Sequence, residues 1–106
     1  MKEELRKDLY KQAVDLWGIE FQDNILIEEC SELITAISHS KRKNKVISND
    51  EIAGELTDVI LLTEQYIQNH NLEEKVAEAK ERKLEKLRRY IGNERCIKMA
   101  KVKDEI

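Results

Sequence analysis

The sequence predicts an all-α protein, a four-helix bundle, and three features carry that expectation. Proline is absent and only three glycines occur in 106 residues, so little in the chain interrupts a helix. Apolar residues recur at spacings of three and four through four separate stretches. Between those stretches stand glycine or small polar residues of the kind that begin and end helices. A chain of this length builds one modest core. That domain is expected over residues 1–92, followed by a polar C-terminal tail, 93–106, frayed or partly helical.

The first helix is expected from Glu3 to Trp17, with Leu5, Leu9, Ala13, Leu16 and Trp17 as its inward stripe and Gly18 as its stop. Ile19-Glu20-Phe21 then reads as a short connection. Gln22-Asp23-Asn24 offers caps for a second helix that runs to about Ser40. Lys41-Arg42-Lys43-Asn44-Lys45 follows as a basic, polar loop. Ser48 with Glu51 forms a capping box that opens a third helix, ending near Gln68. Gly54 lies inside it, where glycine costs about 1 kcal/mol relative to alanine, so close packing or ligand approach is expected there.

Asn71 with Glu74 repeats the capping pattern and opens a fourth helix, expected to end at Ile91 with Gly92 as its stop. Its apolar positions (Val76, Ala79, Leu84, Leu87, Tyr90, Ile91) are sparse, which puts it at the periphery. Glu78 with Arg82 and Glu85 with Arg89 are i,i+4 pairs of the favourable polarity.

A net charge of −3 provides no global basic field, so no nucleic-acid partner is expected. The apolar runs are too short to span a membrane, and Met1-Lys2-Glu3-Glu4 does not open a secretory leader. Cys30 and Cys96 lack metal or redox spacing, and Cys30 falls on an apolar arc as a small core residue. A cytoplasmic protein with reduced thiols is expected.

The stretch from Ile25 to Ile67 holds an internal repeat. Glu29-Cys30-Ser31-Glu32-Leu33-Ile34 and Glu55-Leu56-Thr57-Asp58-Val59-Ile60 align at an offset of 26 as acid, apolar, hydroxyl, acid, apolar, Ile. At about 100° per residue, Glu29, Glu32 and Ala36 share one narrow stripe, and Glu55, Asp58 and Leu62 share another. Each stripe borders an apolar arc: Leu26, Cys30, Leu33, Ile34 and Ile37 in one helix, Ile52, Leu56, Val59, Ile60 and Ile67 in the other. Two such helices packed antiparallel bring the acid pairs face to face. Four converging carboxylates repel unless they are protonated or bridged by a cation. The oxygen donors suit a hard divalent ion, Mg²⁺ or Mn²⁺.

Glu28-Glu29-x-x-Glu32, a spacer of a couple of dozen residues, and Glu55-x-x-Asp58 resemble the all-α nucleoside triphosphate pyrophosphohydrolases. These include the MazG-like proteins, the dimeric dUTPases and phosphoribosyl-ATP pyrophosphatase. Trp17-Gly18 and Gln22 ahead of the acids are similar to the MazG-like branch, and the resemblance spans roughly Leu9 to Leu87. It implies a MazG-like four-helix bundle in which Glu29, Glu32, Glu55 and Asp58 hold Mg²⁺. The reaction implied is hydrolysis of a nucleoside triphosphate, a deoxynucleotide by preference, to monophosphate and pyrophosphate. Glu28 and Glu29 take the catalytic places, Glu28 as an outer carboxylate orienting water. Lys83, Lys86 and Arg88 are the cations expected near the phosphates, although Leu87 stands where similar proteins often carry Asn. The loop Lys41 to Lys45 is a second source of cations. Trp17, Gln22 and Tyr66 are candidates for contacts to the rest of the substrate, with Trp17 and Tyr66 able to stack a base. The resemblance also implies a homodimer, or a tetramer built from dimers.

Other classes remain beside this one. A non-catalytic helical module for nucleotide binding or oligomerisation would need no metal, and phosphoribosyl-ATP is the alternative substrate within the enzyme class. A di-iron carboxylate bundle requires Glu-x-x-His, but Ala36 precedes His39 by three residues and Ile67 precedes His70. Both histidines are expected at the surface or at helix ends.

Overall fold

The computed structural model describes residues 1–42 and 47–105, with side chains described up to residue 102. The protein is all-α, with four helices and no strand among the described residues. They are α1 (Glu3–Trp17), α2 (Ile19–Ser40), α3 (Asn49–Asn69) and α4 (Glu73–Glu105). Met1–Leu72 forms one compact unit that contains α1, α2 and α3, and α4 forms the second. No helix is long and apolar enough to cross a membrane.

A single residue joins α1 to α2. The Gly18 N–H donates to the Val14 carbonyl at 2.8 Å and closes α1, while its carbonyl accepts from Gln22 N at 3.2 Å and opens α2. Gly18 has φ 85° and ψ 154°, a region essentially reserved for glycine. Ile19-Glu20-Phe21 is therefore helical and not a connection. Gln22, Asp23 and Asn24 lie in the first turns of α2 and do not cap it. The turn was hidden because one glycine both ends and begins a helix, leaving no polar linker to read.

The opening of α3 follows the sequence pattern: the Ser48 hydroxyl accepts from Glu51 N at 3.1 Å. Its far end does not. Asn71 adopts the left-handed conformation, φ 55°. Leu72 N donates to the Ile67 carbonyl at 2.9 Å and Asn71 N to that of Gln68 at 3.3 Å. This pair of bonds is a Schellman stop for α3. Asn71 is thus not the N-cap of α4, and its tolerance of positive φ is the property used.

Helix α4 runs through Gly92 to Glu105, so Gly92 is not a stop. The residues that follow (Glu94, Arg95, Lys98, Met99) are strong helix formers, and one exposed glycine does not outweigh them. The ion pair at Glu85 is made with Arg88, three residues on, at 2.7 Å, where Arg89 was expected.

In the first unit α2 and α3 form the main seam and run antiparallel. His70, at the end of α3, places Nε2 2.9 Å from Oδ2 of Asp23, near the start of α2. The seam is rotated towards the acids. Glu29, Leu33 and Ala36 on α2, and Glu55, Val59 and Leu62 on α3, are half-buried. Ile34 and Ile60, expected in the core, are 66% and 55% exposed.

Helix α1 is held to α3 by polar tethers. The Tyr10 hydroxyl donates to Glu64, Arg6 Nε stands 3.7 Å from the same carboxylate, and Gln68 Nε2 donates to the Lys7 carbonyl at 2.8 Å. Tyr10 is buried, while Leu5, Leu9, Leu16 and Trp17 are exposed. The inward face of α1 is therefore not the expected leucine stripe but the one centred on Tyr10, because its partners on α3 are polar. His70, as expected, sits at a helix end.

Burial first, then the hydrogen bond to Glu64, push the Tyr10 phenol up to about 12 from its ordinary 10. Because the folded chain holds this proton more tightly than the unfolded one, the contribution is whole below pH 10 and lost as pH climbs towards 12. Urea midpoints of the wild type are expected to fall more steeply over that interval than those of Tyr10→Phe. Near neutrality the variant is weaker by about 1 kcal/mol. Parallel pH profiles would contradict the assignment.

Candidate metal centre

Residues three apart on a helix are neighbours, so α2 presents Glu29 with Glu32 and α3 presents Glu55 with Asp58. The antiparallel seam brings three of the four into one cluster, while Asp58, expected as the fourth, lies outside it and lines the adjoining cleft. Carboxylate oxygens of Glu29, Glu32 and Glu55 all lie within 4.8 Å of one another. Glu29 and Glu55 are half-buried, and Glu32 and Asp58 are exposed.

The electrostatics follow from that placement. The Glu29 carboxyl is raised above the usual carboxylate range, by burial most of all. The charge of Glu32 and a hydrogen bond to it come next, then the charges of Asp58 and Glu55. Each of these influences acts in the same direction. Among the described residues, the Oε2 atoms of Glu29 and Glu55 are closed off from solvent and have no hydrogen-bond partner. An orphaned buried carboxylate oxygen is costly. Two of them in one all-oxygen cluster fit a hard divalent cation, which would satisfy both and cancel the repulsion.

A cleft of about 460 Å³ opens beside the acids between α2 and α3. Glu32, Thr35, Ala36 and His39 line it from α2, and Glu55 and Asp58 from α3. Ser31, Ile47, Glu51 and Gly54 complete the wall. Thr35 donates its hydroxyl to the Ser31 carbonyl at 3.1 Å, which turns its methyl away from that bond. Glu51, His39 and Ile47 are not read as site residues from the sequence, although two of them carry a signal. Glu51 stands four residues before Glu55 on the acid stripe of α3, and His39 stands seven after Glu32. Ile47 offers no chemistry to notice, whereas Gly54, expected to admit close packing or a ligand, does line the cleft.

The other expected site residues stand on α1, α2, α3 and α4. Glu28 is exposed, one 100° step from Glu29. Gln22 is buried, with Oε1 unpartnered. It lies seven residues before Glu29, so the acid stripe continued back by two turns reaches it. Trp17 is exposed at the end of α1. Tyr66 rests against His70 with ring centroids 4.1 Å apart, which engages its ring within the chain. Lys83, Lys86 and Arg88 are exposed on α4, where Arg88 pairs with Glu85 and Lys86 lies 5.5 Å from the Tyr90 ring centre. Of the basic loop, Lys41 and Arg42 are exposed, and Lys43, Asn44 and Lys45 lie outside the described residues.

Comparison of the chain with protein-family models, curated proteins and solved structures finds no match.

The raised Glu29 carboxyl has a measurable consequence. A group whose pKa is higher in the folded state costs stability once it ionises, so Glu29 weakens the metal-free fold at neutral pH. In chelator at pH 7, Glu29→Gln is expected to melt above the wild type, with the gap closing as both carry a neutral side chain in acid. Millimolar Mg²⁺ should reverse the order, because binding to the folded state stabilises the wild type more. A Glu29→Gln protein that melts lower in chelator, or gains equally from Mg²⁺, would contradict this.

Proposed function

We propose that this protein is a Mg²⁺-dependent nucleoside triphosphate pyrophosphohydrolase of the MazG-like kind, releasing monophosphate and pyrophosphate. The observation that carries the proposal is the convergence of Glu29, Glu32 and Glu55, with two buried oxygens that lack a hydrogen-bond partner among the described residues. Together with Asp58 these side chains would hold the ion. When bound, a divalent cation neutralises phosphate oxygens and makes water a better nucleophile at neutral pH.

The remaining work falls to the chain itself. The acids fix where the phosphates sit, and the cleft beside them leaves room for the rest of the nucleotide. Its volume lies within the usual range for small-molecule sites. Glu28, exposed next to Glu29, is the outer carboxylate in this proposal, taking the proton from the attacking water. Lys83, Lys86 and Arg88 are the proposed cations for the phosphate tail. Trp17 and Gln22 are the proposed contacts to the nucleoside. A homodimer or a tetramer of dimers belongs to the same proposal, supported by large apolar side chains left exposed on α1, α2 and α3. So does a cytoplasmic setting, in keeping with two free cysteines.

The test is turnover of ribo- and deoxyribonucleoside triphosphates with Mg²⁺, scored for both products, with phosphoribosyl-ATP included. Wild-type protein is expected to release pyrophosphate and monophosphate in equal amounts from at least one triphosphate. Glu32→Gln and Asp58→Asn should each lower kcat by about 100-fold or more, comparable to the loss of a key transition-state contact. Tight nucleotide binding without either product would identify a binding module instead. Undiminished turnover in both variants would remove the acids from the mechanism.

A further inference from the structure

We propose that Gly54 is a substrate-seating position, where the missing side chain lets the pentose of the nucleotide rest against the wall of α3. This inference builds on the function proposed above and adds a specificity-determining residue to it. Three observations carry it.

Gly54 lies within α3, where the backbone is ordinary helix; Gly18 is the glycine with positive φ. The conformation at residue 54 therefore does not call for glycine, and a helix interior disfavours it. Nor does packing within the protein. Among the described residues, a Cβ built at Gly54 meets nothing within 4 Å beyond its chain neighbours and the local helix backbone, so the close packing expected there is not found among them. The position does line the cleft, next to Glu55 in sequence and beside Asp58. The space a side chain would take is space for a ligand.

The internal repeat sharpens the point. At an offset of 26, Gly54 corresponds to Glu28, so α3 departs from α2 by omitting a side chain at the cleft. Across the gap stand Ala36 and Thr35, whose hydroxyl is engaged by the Ser31 carbonyl. Bare helix backbone at Gly54 and small groups at Ala36 and Thr35 leave a recess beginning at the acids, with Glu51, His39 and Ile47 also in the cleft wall. In a nucleoside triphosphate the pentose is joined directly to the phosphates, so it is the part that falls in this recess.

The experiment compares wild type, Gly54→Ala and Gly54→Val. It reads the thermal midpoint in chelator and the binding of Mn²⁺, of inorganic tripolyphosphate with Mg²⁺, and of dATP, dCTP, dGTP and dTTP with Mg²⁺. Gly54→Ala is expected to melt higher by roughly 4–8 °C, as an unstrained gain in helix propensity would give. Mn²⁺ and tripolyphosphate should bind all three proteins alike. The Kd for the best-bound deoxynucleotide should rise by about 10- to 200-fold in Gly54→Ala, the range for one methyl-sized misfit, and further in Gly54→Val. Unchanged deoxynucleotide affinity in both variants would overturn the proposal and leave the metal centre standing. A lower midpoint for Gly54→Ala would make the glycine structural and also overturn it. Parallel loss of tripolyphosphate or Mn²⁺ binding would reassign Gly54 to the acids, not the pentose. A wild type that binds Mn²⁺ but no deoxynucleotide would end both this proposal and the function it builds on, whereas failure to bind Mn²⁺ would sink the metal centre itself.

Discussion

The seam between α2 and α3 is built around a repulsion. Helix pairs ordinarily close over apolar side chains, but here Glu29 and Glu55 occupy half-buried places among Leu33, Val59 and Leu62. Ile34 and Ile60 are turned outward instead. Burial disfavours the charged form of a carboxylate, and each nearby acid disfavours it further. Glu29 bears the result, raised above the ordinary range by burial, by Glu32, and then by Asp58 and Glu55. A sequence selected for stability alone would exchange these acids for leucine or alanine. Their presence in the seam is intelligible if an ion of opposite charge completes it.

Other parts of the first unit hold that seam in register. The Asp23–His70 contact ties the start of α2 to the end of α3, so Glu29 meets Glu55 and not a residue one turn away. Gly18 turns the chain within one residue, which fixes α1 close to the origin of α2. Tyr10, Arg6 and Gln68 then anchor α1 to α3 through polar bonds. Tyr10 and Gln22 are the buried side chains among the described residues, so directional contacts carry much of the specificity that a larger apolar core would supply.

Much of this was legible in the sequence, for reasons that can be named. Helix count and type came from periodicity and the lack of proline, and the extent of α1 from Gly18. The opening of α3 came from Ser48 and Glu51, whose bond is local. The shared stripes follow from spacing and the repeat, while the register that brings Glu29 and Glu32 to Glu55 depends on contacts such as Asp23–His70, which no local pattern announces. What escaped depends on more than local pattern. Gly18 serves two helices at once, Asn71 has the sequence pattern of a cap while its positive-φ backbone closes α3, and Gly92 is carried by strong helix formers after it. The inward face of α1 was misplaced because Tyr10 and Arg6 answer to Glu64, fifty-odd residues away, and not to a hydrophobic stripe. Gly54 was noticed for its cost; only the cleft around it suggests a use.

A divalent cation between α2 and α3 would be seen by anomalous diffraction from crystals soaked in Mn²⁺. A peak is expected about 2.1 Å from oxygens of Glu29, Glu32 and Glu55, with the orphaned Oε2 atoms among the ligands. A seam that remains closed in the presence of Mn²⁺, with no peak and Glu29 still without a partner, would contradict a cation site there.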